Sequence, residues 1–418
     1  MKKVAILTDF VSHDPAYSLC GVVANQVKML VANDYEPRLL VRKGFSADGA
    51  YGGADIRELV PGEIGNNQVN ITTKSDHEIA SLKTQMATRL SGFDVVLTHD
   101  LIYQANMWKY HVAARRVARD MPDLKWLHWV HSSTDLGTAA QTQQFSRELE
   151  PPFPNSKLVV MHPEEFARKG QLYQYEPDEI VEIPNPLDLI EDYHPAAQEI
   201  IQSGELHQAD IVAVYPARLD RGKQVEIIID IFRELNRQEW DARIVVVDFH
   251  STAGDKVDYR KELKRSAWDG NPPTPIYFTS EIRKDFEYHL PHKAVMDLFE
   301  YSDIFVHPSR SESDPLTVPE AAWKRCGLIL NYDLPVFRLW EGGALLYKFS
   351  SNIDVSTGMP GTTETKYQDR GAYMAQVAAA IAYTMKTNPV LANHAKVRGE
   401  RSLEAVWHKN LWPAIEGA

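Results

Sequence analysis

The sequence contains only two cysteines, Cys20 and Cys326, which lie far apart in the chain. Each stands beside a glycine, and neither belongs to a pair with the short spacing of a metal-binding motif. A disulfide framework is therefore not expected, and a reducing, cytoplasmic environment fits this cysteine usage best.

Long apolar runs are also missing. No stretch approaches the ~20 apolar residues that a membrane-spanning helix requires. The first apolar run, residues 4–7, is too short for a signal peptide and predicts a strand. We therefore expect no transmembrane segment, which leaves peripheral contact with a membrane as the only kind open.

The chain has no excess of positive charge, since 57 Asp and Glu residues outnumber 45 Lys and Arg residues and give a formal charge of −12. This balance disfavours nucleic acid as a partner without excluding a local basic groove. One predicted helix, residues 108–119, is nevertheless basic. It is either a solvated helix face or a docking surface for an anionic acceptor or a membrane, and its cationic residues are Lys109, His111, Arg115, Arg116 and Arg119.

The length of 418 residues exceeds the size at which a single core stops growing, so two domains are expected. Strand-like apolar segments alternate with helical segments in both halves, as parallel sheets require. A polar stretch at residues 191–209 predicts a linker between an α/β domain at 1–190 and a second at 210–390. Residues 391–418 predict a C-terminal helix that packs back toward the first domain.

The loop after the first strand has one glycine, Gly21, directly before a helix predicted at residues 22–32. A dinucleotide fingerprint needs three glycines at set spacing, which disfavours a Rossmann dehydrogenase. In the second half, Arg218 and Lys223 follow a strand at residues 211–215, without the order of a Walker loop. They are either a clamp for a diphosphate or ordinary surface salt bridges.

Residues 309–322 place Glu312 and Glu320 in a loop and helix start that follow a strand at 304–306. The free amides at the start of a helix favour anions, so a phosphorylated ligand fits there. Acidic residues are also common in the first turn of a helix without any ligand, and this preference explains the same pattern. In the first half, His131 follows a strand at 126–130, where ligand sites of α/β sheets lie. A lone histidine is more often structural than catalytic.

Taken in order, these motifs resemble those of the retaining, nucleotide-sugar-dependent glycosyltransferases of GT-B fold, the family 4-like enzymes called glycosyl transferases group 1. The family signature Glu-Gly-Phe-Gly-Leu-Thr-Val-Leu-Glu-Ala aligns without a gap with residues 312–321. Its Gly-Arg-Leu followed by Lys matches residues 217–219 and Lys223, and its Ile-Pro-Asn-Gly-Val-Asp resembles residues 183–188. The Pro-Ser before the signature matches Pro308 and Ser309.

The resemblance implies two Rossmann-like α/β/α domains with an interdomain cleft, an acceptor-side domain at 1–190 and a nucleotide-sugar-binding domain at 210–390. It also implies a catalytic set. Arg218 and Lys223 would hold the donor diphosphate, Glu312 would face the transferred sugar, and His131 would lie near that sugar.

Further donor contacts are implied by the same resemblance. Glu320 would bind the nucleotide ribose, Leu316 and Thr317 would belong to the donor-binding loop, and Gly21 would let the backbone approach the sugar or phosphate. The main departures from the family pattern are Pro315, which replaces a glycine and has no amide to offer, and Asp314, which adds a carboxylate. We expect an altered sugar preference from these departures.

The resulting prediction is a metal-independent hexosyltransferase that needs no cofactor and uses a UDP-, GDP- or ADP-sugar as donor substrate. The hydroxyl acceptor is a glycan, a lipid-linked intermediate or a small molecule. Three alternatives stay open at this point: a sugar-nucleotide epimerase or phosphorylase of the same fold, a non-catalytic nucleotide-sugar-binding protein, and a viral DNA-base glycosyltransferase.

Overall fold

The computed structural model describes residues 2–46, 49–59, 75–102, 104, 107–131, 145–149, 152–250, 256–354 and 356–417. The chain divides into two compact units. The first consists of Met1–Asp188 and Arg401–Ala418, and the second of Leu189–Glu400.

The first unit is built on a parallel sheet of seven strands in the order β3-β2-β1-β4-β5-β6-β7. Its central strand β4 is buried along its whole length because helices cover both faces of a parallel sheet, and Ile6 lies beside Leu97 in the pairing of β1 with β4. The strands are β1 (Lys3–Leu7), β2 (Glu36–Arg42), β3 (Asp55–Leu59), β4 (Val95–His99), β5 (Lys125–Trp129), β6 (Ser156–Val160) and β7 (Ile180–Glu182).

The described α-helices of this unit include three long ones that connect the strands. The helix predicted at 22–32 begins at Ser18, so Gly21 lies in its first turn and not in the preceding loop, because the backbone is extended only as far as Tyr17. The α-helices are Ser18–Ala32, Ser75–Leu90, Trp108–Asp120, Ser146–Leu149, Phe166–Tyr173, Leu403–Val406 and Trp412–Glu416, with a π-helical turn at Trp407–Leu411.

The end of the chain packs on the first unit. Trp407 and Leu411 are buried in the same core cluster as Val23 and Val27 of the first helix. Residues 391–418, predicted as one helix, are divided at Ser402, whose side chain accepts a hydrogen bond from the Ala405 amide and caps a new helix. The Ser402 hydroxyl thus takes the place of the backbone carbonyl that would accept this hydrogen bond in a continuous helix.

The basic helix is not a solvated face. Lys109, His111 and Arg115 are each about 5% exposed, because Trp108–Asp120 packs against the neighbouring helices of the unit. Lys109 Nζ lies 2.5 Å from Glu78 Oε2, and the Arg115 guanidinium donates to the Leu149 carbonyl at 3.0 Å. The interpretation of this helix as solvated is therefore wrong.

The alternative interpretation of the same helix, a basic docking surface, requires exposed and unpaired cations. Its two more exposed cations both face one carboxylate, with Arg116 Nη2 2.8 Å and Arg119 Nη1 3.7 Å from Glu148. In the part of the chain that the structure describes, these charges are already neutralised, so the helix does not supply such a surface.

The second unit contains a parallel sheet of six strands in the order β10-β9-β8-β11-β12-β13 and a separate antiparallel pair, β14 and β15. The prediction of two parallel-sheet α/β units is thereby confirmed. The strands are β8 (Ile211–Arg218), β9 (Ala242–Phe249), β10 (Ile276–Phe278), β11 (Ile304–His307), β12 (Gly327–Asn331), β13 (Ala344–Tyr347), β14 (Ser351–Ile353) and β15 (Pro360–Thr363).

Helices connect these strands. Residues 191–209, predicted as a linker, hold the helix Pro195–Ser203, whose Ala197 and Ile200 are fully buried in the core of the second unit. The α-helices are Pro195–Ser203, Val225–Arg237, Lys256–Trp268, Thr279–Ile282, Phe286–His289, His292–Tyr301, Thr317–Trp323, Pro335–Arg338, Arg370–Thr387 and Pro389–Arg401. Across all the described ranges, no helix is both long and apolar enough to cross a membrane.

Candidate active site

The candidate site of the second unit lies at the carboxyl edge of its sheet. Strands β8 and β11 are parallel neighbours, so the loops that follow them emerge at the same edge. Arg218 is the last residue of β8, and His307 is the last residue of β11. The two strand ends are 89 residues apart in the chain, and the two predicted motifs therefore meet through sheet topology.

Hydrogen bonds join the two loops directly. The backbone amide of Arg310 donates to the Gly222 carbonyl at 2.8 Å. The side-chain amide nitrogen of Gln224, Nε2, donates to the Pro308 carbonyl. The Arg310 Nε–H donates in turn to Gln224 Oε1 at 3.2 Å. The positions of Lys223 and of the signature loop are consequently fixed relative to each other.

The charged centre of this site is the pair formed by Lys223 and Glu312. Lys223 Nζ lies 2.6 Å from Glu312 Oε1, with the two side chains 19% and 14% exposed. His307 Nε2 lies 3.6 Å from the same carboxylate oxygen. Burial, reinforced by Lys223, lowers the pKa of His307 to about 3, so this imidazole is neutral and Lys223 is the cation that balances Glu312.

Arg218 is different, because it is exposed at the end of its strand. Among the described residues, its guanidinium has no ion-pair or hydrogen-bond partner, whereas nearby Arg221 pairs with Glu262 at 2.9 Å. Arg221 therefore forms an ordinary surface salt bridge, whereas Arg218 does not form one with any described residue. A guanidinium without a partner in the described ranges, close in sequence to the half-buried Lys223, is suited to hold phosphate oxygens.

Glu320, the second signature glutamate, lies in the helix Thr317–Trp323. This helix begins two residues before Pro319, where the sequence predicts its start. Glu320 Oε1 lies 2.9 Å from Nε2 of the exposed His292. Val318 and Ala321 of this helix are buried and anchor it to the core. Leu316 is 69% exposed and Thr317 is half-buried, so both belong to the accessible edge of the loop.

Asp314 and Pro315, the main departures from the family pattern, lie just before that helix. The Pro315 carbonyl accepts a hydrogen bond from the Val318 amide at 3.2 Å, and Asp314 is exposed. Arg310, a conceivable partner for Asp314, instead pairs with Glu364 at 3.0 Å. The extra carboxylate therefore stays in solvent beside the candidate donor loop.

In the first unit, His131 follows β5 and belongs to a connected polar cluster. Its amide donates to Asp100 Oδ1 at 3.0 Å, and its Nε2 lies 2.9 Å from Nδ1 of His99. His99 Nε2 lies 2.9 Å from Gln26 Oε1. Because that oxygen only accepts, His99 carries its proton on Nε2, and its Nδ1 accepts the proton of His131 Nε2.

Burial lowers the pKa of His131, with Asp100 acting in the opposite direction. Burial also lowers the pKa of His99, which is 3% exposed, well below its ordinary value. Both imidazoles are therefore neutral at pH 7, and the hydrogen-bond chain leaves Nδ1 of His131 as the unprotonated nitrogen.

Gly21 lies on the same helix as Gln26. A Cβ added at Gly21 would meet no atom within 4 Å, so packing of the described residues does not require glycine there. The residue is exposed in the first turn of a helix, and its predicted role toward a ligand stays a prediction.

Sequence reasoning missed three residues around His131. His99 ends β4 and Asp100 follows it directly, and this position at a strand end was an available signal. Lys169 is fully buried, with Nζ 2.6 Å from the Val130 carbonyl and 2.7 Å from Glu165. It comes from a distant helix, so local sequence gave no signal for it. In the described ranges, no group of three or more His, Cys, Asp or Glu side chains is arranged to hold a metal ion.

Comparison with solved structures finds proteins similar along nearly the whole chain at low identity. The Anabaena HepE protein, solved with UDP and glucose, is 14% identical, with 98% of each chain covered and a TM-score of 0.35. A Rickettsia africae glycosyltransferase is 14% identical, with 99% of this chain and 98% of that chain covered and a TM-score of 0.37. Sucrose-phosphate synthase of Thermosynechococcus elongatus is 15% identical, with coverage of 99% and 96% and a TM-score of 0.33.

No curated protein matches the chain significantly. A family model does match, over residues 197–330, and its description is glycosyl transferases group 1. The matched segment contains Arg218, Lys223, Glu312 and Glu320, the four charged residues described above for the second unit. The similarity to the glycosyl transferases group 1 family is thus shown for residues 197–330 of this chain.

Proposed function

We propose that this protein is a retaining glycosyltransferase that moves a sugar from a nucleotide-diphosphate sugar to a hydroxyl acceptor. The observation that carries the proposal is the arrangement of Arg218, Lys223 and Glu312 at one sheet edge. Among the described residues, it provides one exposed cation without a partner, Arg218, one half-buried cation, Lys223, and a carboxylate, Glu312, that is ion-paired with Lys223. A charged diphosphate joined to a neutral sugar matches these groups in charge.

The two cations act on the leaving group. As the bond between the anomeric carbon and the diphosphate oxygen breaks, negative charge grows on the phosphate oxygens and the sugar becomes oxocarbenium-like. Cations that are already in place stabilise this charge more than they stabilise the intact donor, which lowers the barrier. Arg218 is proposed to hold phosphate oxygens through paired hydrogen bonds, and Lys223 to add a compact charge.

Glu312 has a separate role. Its carboxylate accepts a hydrogen bond from Lys223, and a donor phosphate competes for the same ammonium group. Glu312 then accepts hydrogen bonds from hydroxyls of the transferred sugar. The exchange keeps Lys223 paired in both states, so its charge is never buried without a partner.

The transfer step balances without an added base. The acceptor hydroxyl forms its bond to the anomeric carbon on the face from which the diphosphate leaves, and its proton passes to the departing phosphate oxygen. Attack on that face gives retention of the anomeric configuration. We propose that the step needs neither a metal ion nor a cofactor, and that activity persists in the presence of EDTA.

The remaining predicted residues serve donor recognition in this proposal. Glu320 exchanges His292 for the ribose hydroxyls of the nucleotide, while Leu316 and Thr317 contribute the accessible edge of the donor loop. In the first unit, His131 and Gly21 stay predicted contacts of the transferred sugar. The donor is a UDP-, GDP- or ADP-sugar, and the acceptor is a glycan, a lipid-linked intermediate or a small molecule.

A donor screen followed by product analysis tests the proposal. Thermal shift with UDP-, GDP- and ADP-sugars identifies the donor, because a ligand specific to the folded state raises the melting temperature. NMR of the products then separates the alternatives: transfer needs an acceptor, epimerisation proceeds without one, and phosphorolysis needs inorganic phosphate. An Arg218→Ala, Lys223→Ala double variant that transfers sugar at the wild-type rate would contradict the assignment.

A further inference from the structure

We propose that the second unit carries another ligand site, at the amino edge of its sheet, for a small anion with a flat ring of the nucleoside monophosphate class. A cavity of about 770 Å³ lies there, and Trp323, Arg325 and His394 are among its lining residues. The volume falls in the range of ligand pockets, about 300–1,000 Å³. This proposal does not depend on the proposed glycosyl transfer.

The cavity and the candidate active site lie on opposite edges of the sheet. Ser302 and Tyr301, which line the cavity, come just before β11, whereas Glu312 follows the carboxyl end of that strand. Arg325 likewise comes just before β12. A strand of four residues spans about 13 Å, so the cavity is separate from Arg218, Lys223 and Glu312, whereas Glu320 lies on the same helix as Trp323, three residues before it.

The charges around the cavity leave one cation uncompensated. Lys324 pairs with Glu300, and Arg398 Nη2 pairs with the buried Asp303 at 2.7 Å. Arg325, by contrast, has no ion-pair or hydrogen-bond partner in the described ranges, and it is exposed. The unbalanced guanidinium therefore favours an anion in this cavity, and a phosphate matches its forked donors.

His394 adds a second polar contact with a fixed orientation. Its Nδ1 lies 3.0 Å from Asp303 Oδ1. Although burial acts to raise the pKa of Asp303, Arg398 and His394 hold that pKa below its ordinary value, so the carboxylate is ionised and accepts the Nδ1 proton. The other nitrogen, Nε2, has no partner among the described residues and is available to a ligand hydroxyl or phosphate.

The aromatic residues that line the cavity also suit a ligand with a flat ring. The Trp323 indole is 81% exposed although it lines a cavity, and Tyr193 and Tyr301 form an edge-to-face pair on the cavity wall, with ring centroids 6.4 Å apart. An exposed indole face stacks on a nucleobase without regard to which base it is. A nucleoside monophosphate supplies both the ring and the phosphate that this lining can hold.

Isothermal titration calorimetry of AMP into the full chain tests the site. Arg325→Gln is expected to weaken AMP binding about tenfold or more, because it removes a charge-assisted contact to phosphate. Trp323→Leu is expected to weaken it about fivefold or more through loss of stacking. Both side chains are exposed, so both variants should fold, and far-UV circular dichroism with a melting temperature checks this.

Matched controls are available in the same unit. Arg265→Gln and Trp268→Leu remove the same residue types from a different cavity and should leave AMP binding unchanged. Adenosine and inorganic phosphate, titrated separately, should each bind more weakly than AMP. The proposal is overturned if AMP does not bind at millimolar concentration, if Arg325→Gln has no effect, if adenosine binds as tightly as AMP, or if the Arg218→Ala, Lys223→Ala variant abolishes AMP binding.

Discussion

Lys223 Nζ and Glu312 Oε1 lie 2.6 Å apart, although 89 residues separate them in the chain. Both residues are assigned to the donor, one to its diphosphate and the other to its sugar. Because the two side chains are ion-paired with each other, we expect donor binding to replace an existing ion pair. A variant of either residue therefore leaves its partner as an uncompensated charge, which is only partly exposed.

Replacing Lys223 with alanine is expected to lower kcat/KM for sugar transfer by about 10²–10³-fold, the usual effect of removing one group that stabilises charge developing in the transition state. Steady-state kinetics with the donor found by the screen measures this. Arg221→Ala is the control, since that exposed side chain pairs with Glu262, and it should change kcat/KM less than about threefold. Equal losses in the two variants would remove Lys223 from the mechanism.

Glu320→Gln is expected to raise the KM for the donor about tenfold with a smaller change in kcat, because a carboxylate that accepts ribose hydroxyls contributes mainly to binding. His292→Ala is the informative comparison. His292 is the residue that Glu320 contacts at 2.9 Å, and its side chain is 70% exposed, so its loss should leave the donor KM within about twofold. A large fall in kcat with an unchanged KM for Glu320→Gln would contradict the ribose assignment.

How far the sequence predicts this site depends on the distance over which each contact acts. The strand predicted at 211–215 and the loop that contains Glu312 follow from local apolar runs and motif spacing, and both are present, although the strand continues to Arg218 and so includes a residue predicted in the loop. The bond from Lys223 to Glu312 could not be predicted locally, because it arises only when β8 and β11 become neighbours in the sheet. Local patterns thus predict the elements, and the topology decides which side chains meet.

The basic helix illustrates the opposite case. Its cations predict a solvated surface by composition, but Lys109 and Arg115 are buried because Glu78 and the carbonyl of Leu149 come to them from other segments. Lys169 beneath Val130 is hidden from sequence reasoning for the same reason. A charge in the sequence carries no information about a partner that is distant in the chain.

Stability of the chain is expected to fall as the pH drops below about 6.5, because three histidines of the first unit are held neutral. Burial lowers the pKa of His99, of His111 and of His128, the last to about 3. The unfolded chain, with histidine pKa values near 6.5, therefore binds protons that the folded chain does not. Each such histidine contributes a slope of about 1.4 kcal/mol per pH unit in this range.

Urea unfolding at pH 7.0 and pH 5.5 measures this slope. His128→Leu should reduce the difference between the two pH values, although loss of the contact to Thr98, 2.7 Å long, should cost about 1 kcal/mol at both. His162→Gln, at a histidine whose side chain is half exposed, is the control and should leave the difference unchanged. A slope that His128→Leu does not alter would show that this histidine titrates normally in the folded state.

Asn331→Ala is expected to destabilise the protein by about 2–4 kcal/mol, because it breaks a fully buried set of hydrogen bonds. The Asn331 amide nitrogen donates to the carbonyls of Ser309 and Ser350 at 3.0 and 2.7 Å, and its oxygen accepts from the amides of Asp333 and Phe349 at 3.1 and 3.0 Å.

Because Ser309 begins the loop that carries Glu312, the Asn331→Ala variant should also bind the donor more weakly, even at temperatures where it is fully folded. Asn352→Ala is the matched control. That side chain is exposed, so its removal should change the free energy of unfolding by no more than about 0.5 kcal/mol. Thermal melts of both variants measure the change in stability, and donor titrations measure the change in donor affinity. If Asn331→Ala loses stability but keeps the wild-type donor affinity, Asn331 supports the core alone, and the geometry of the donor loop is maintained by its bonds to Gly222 and Gln224.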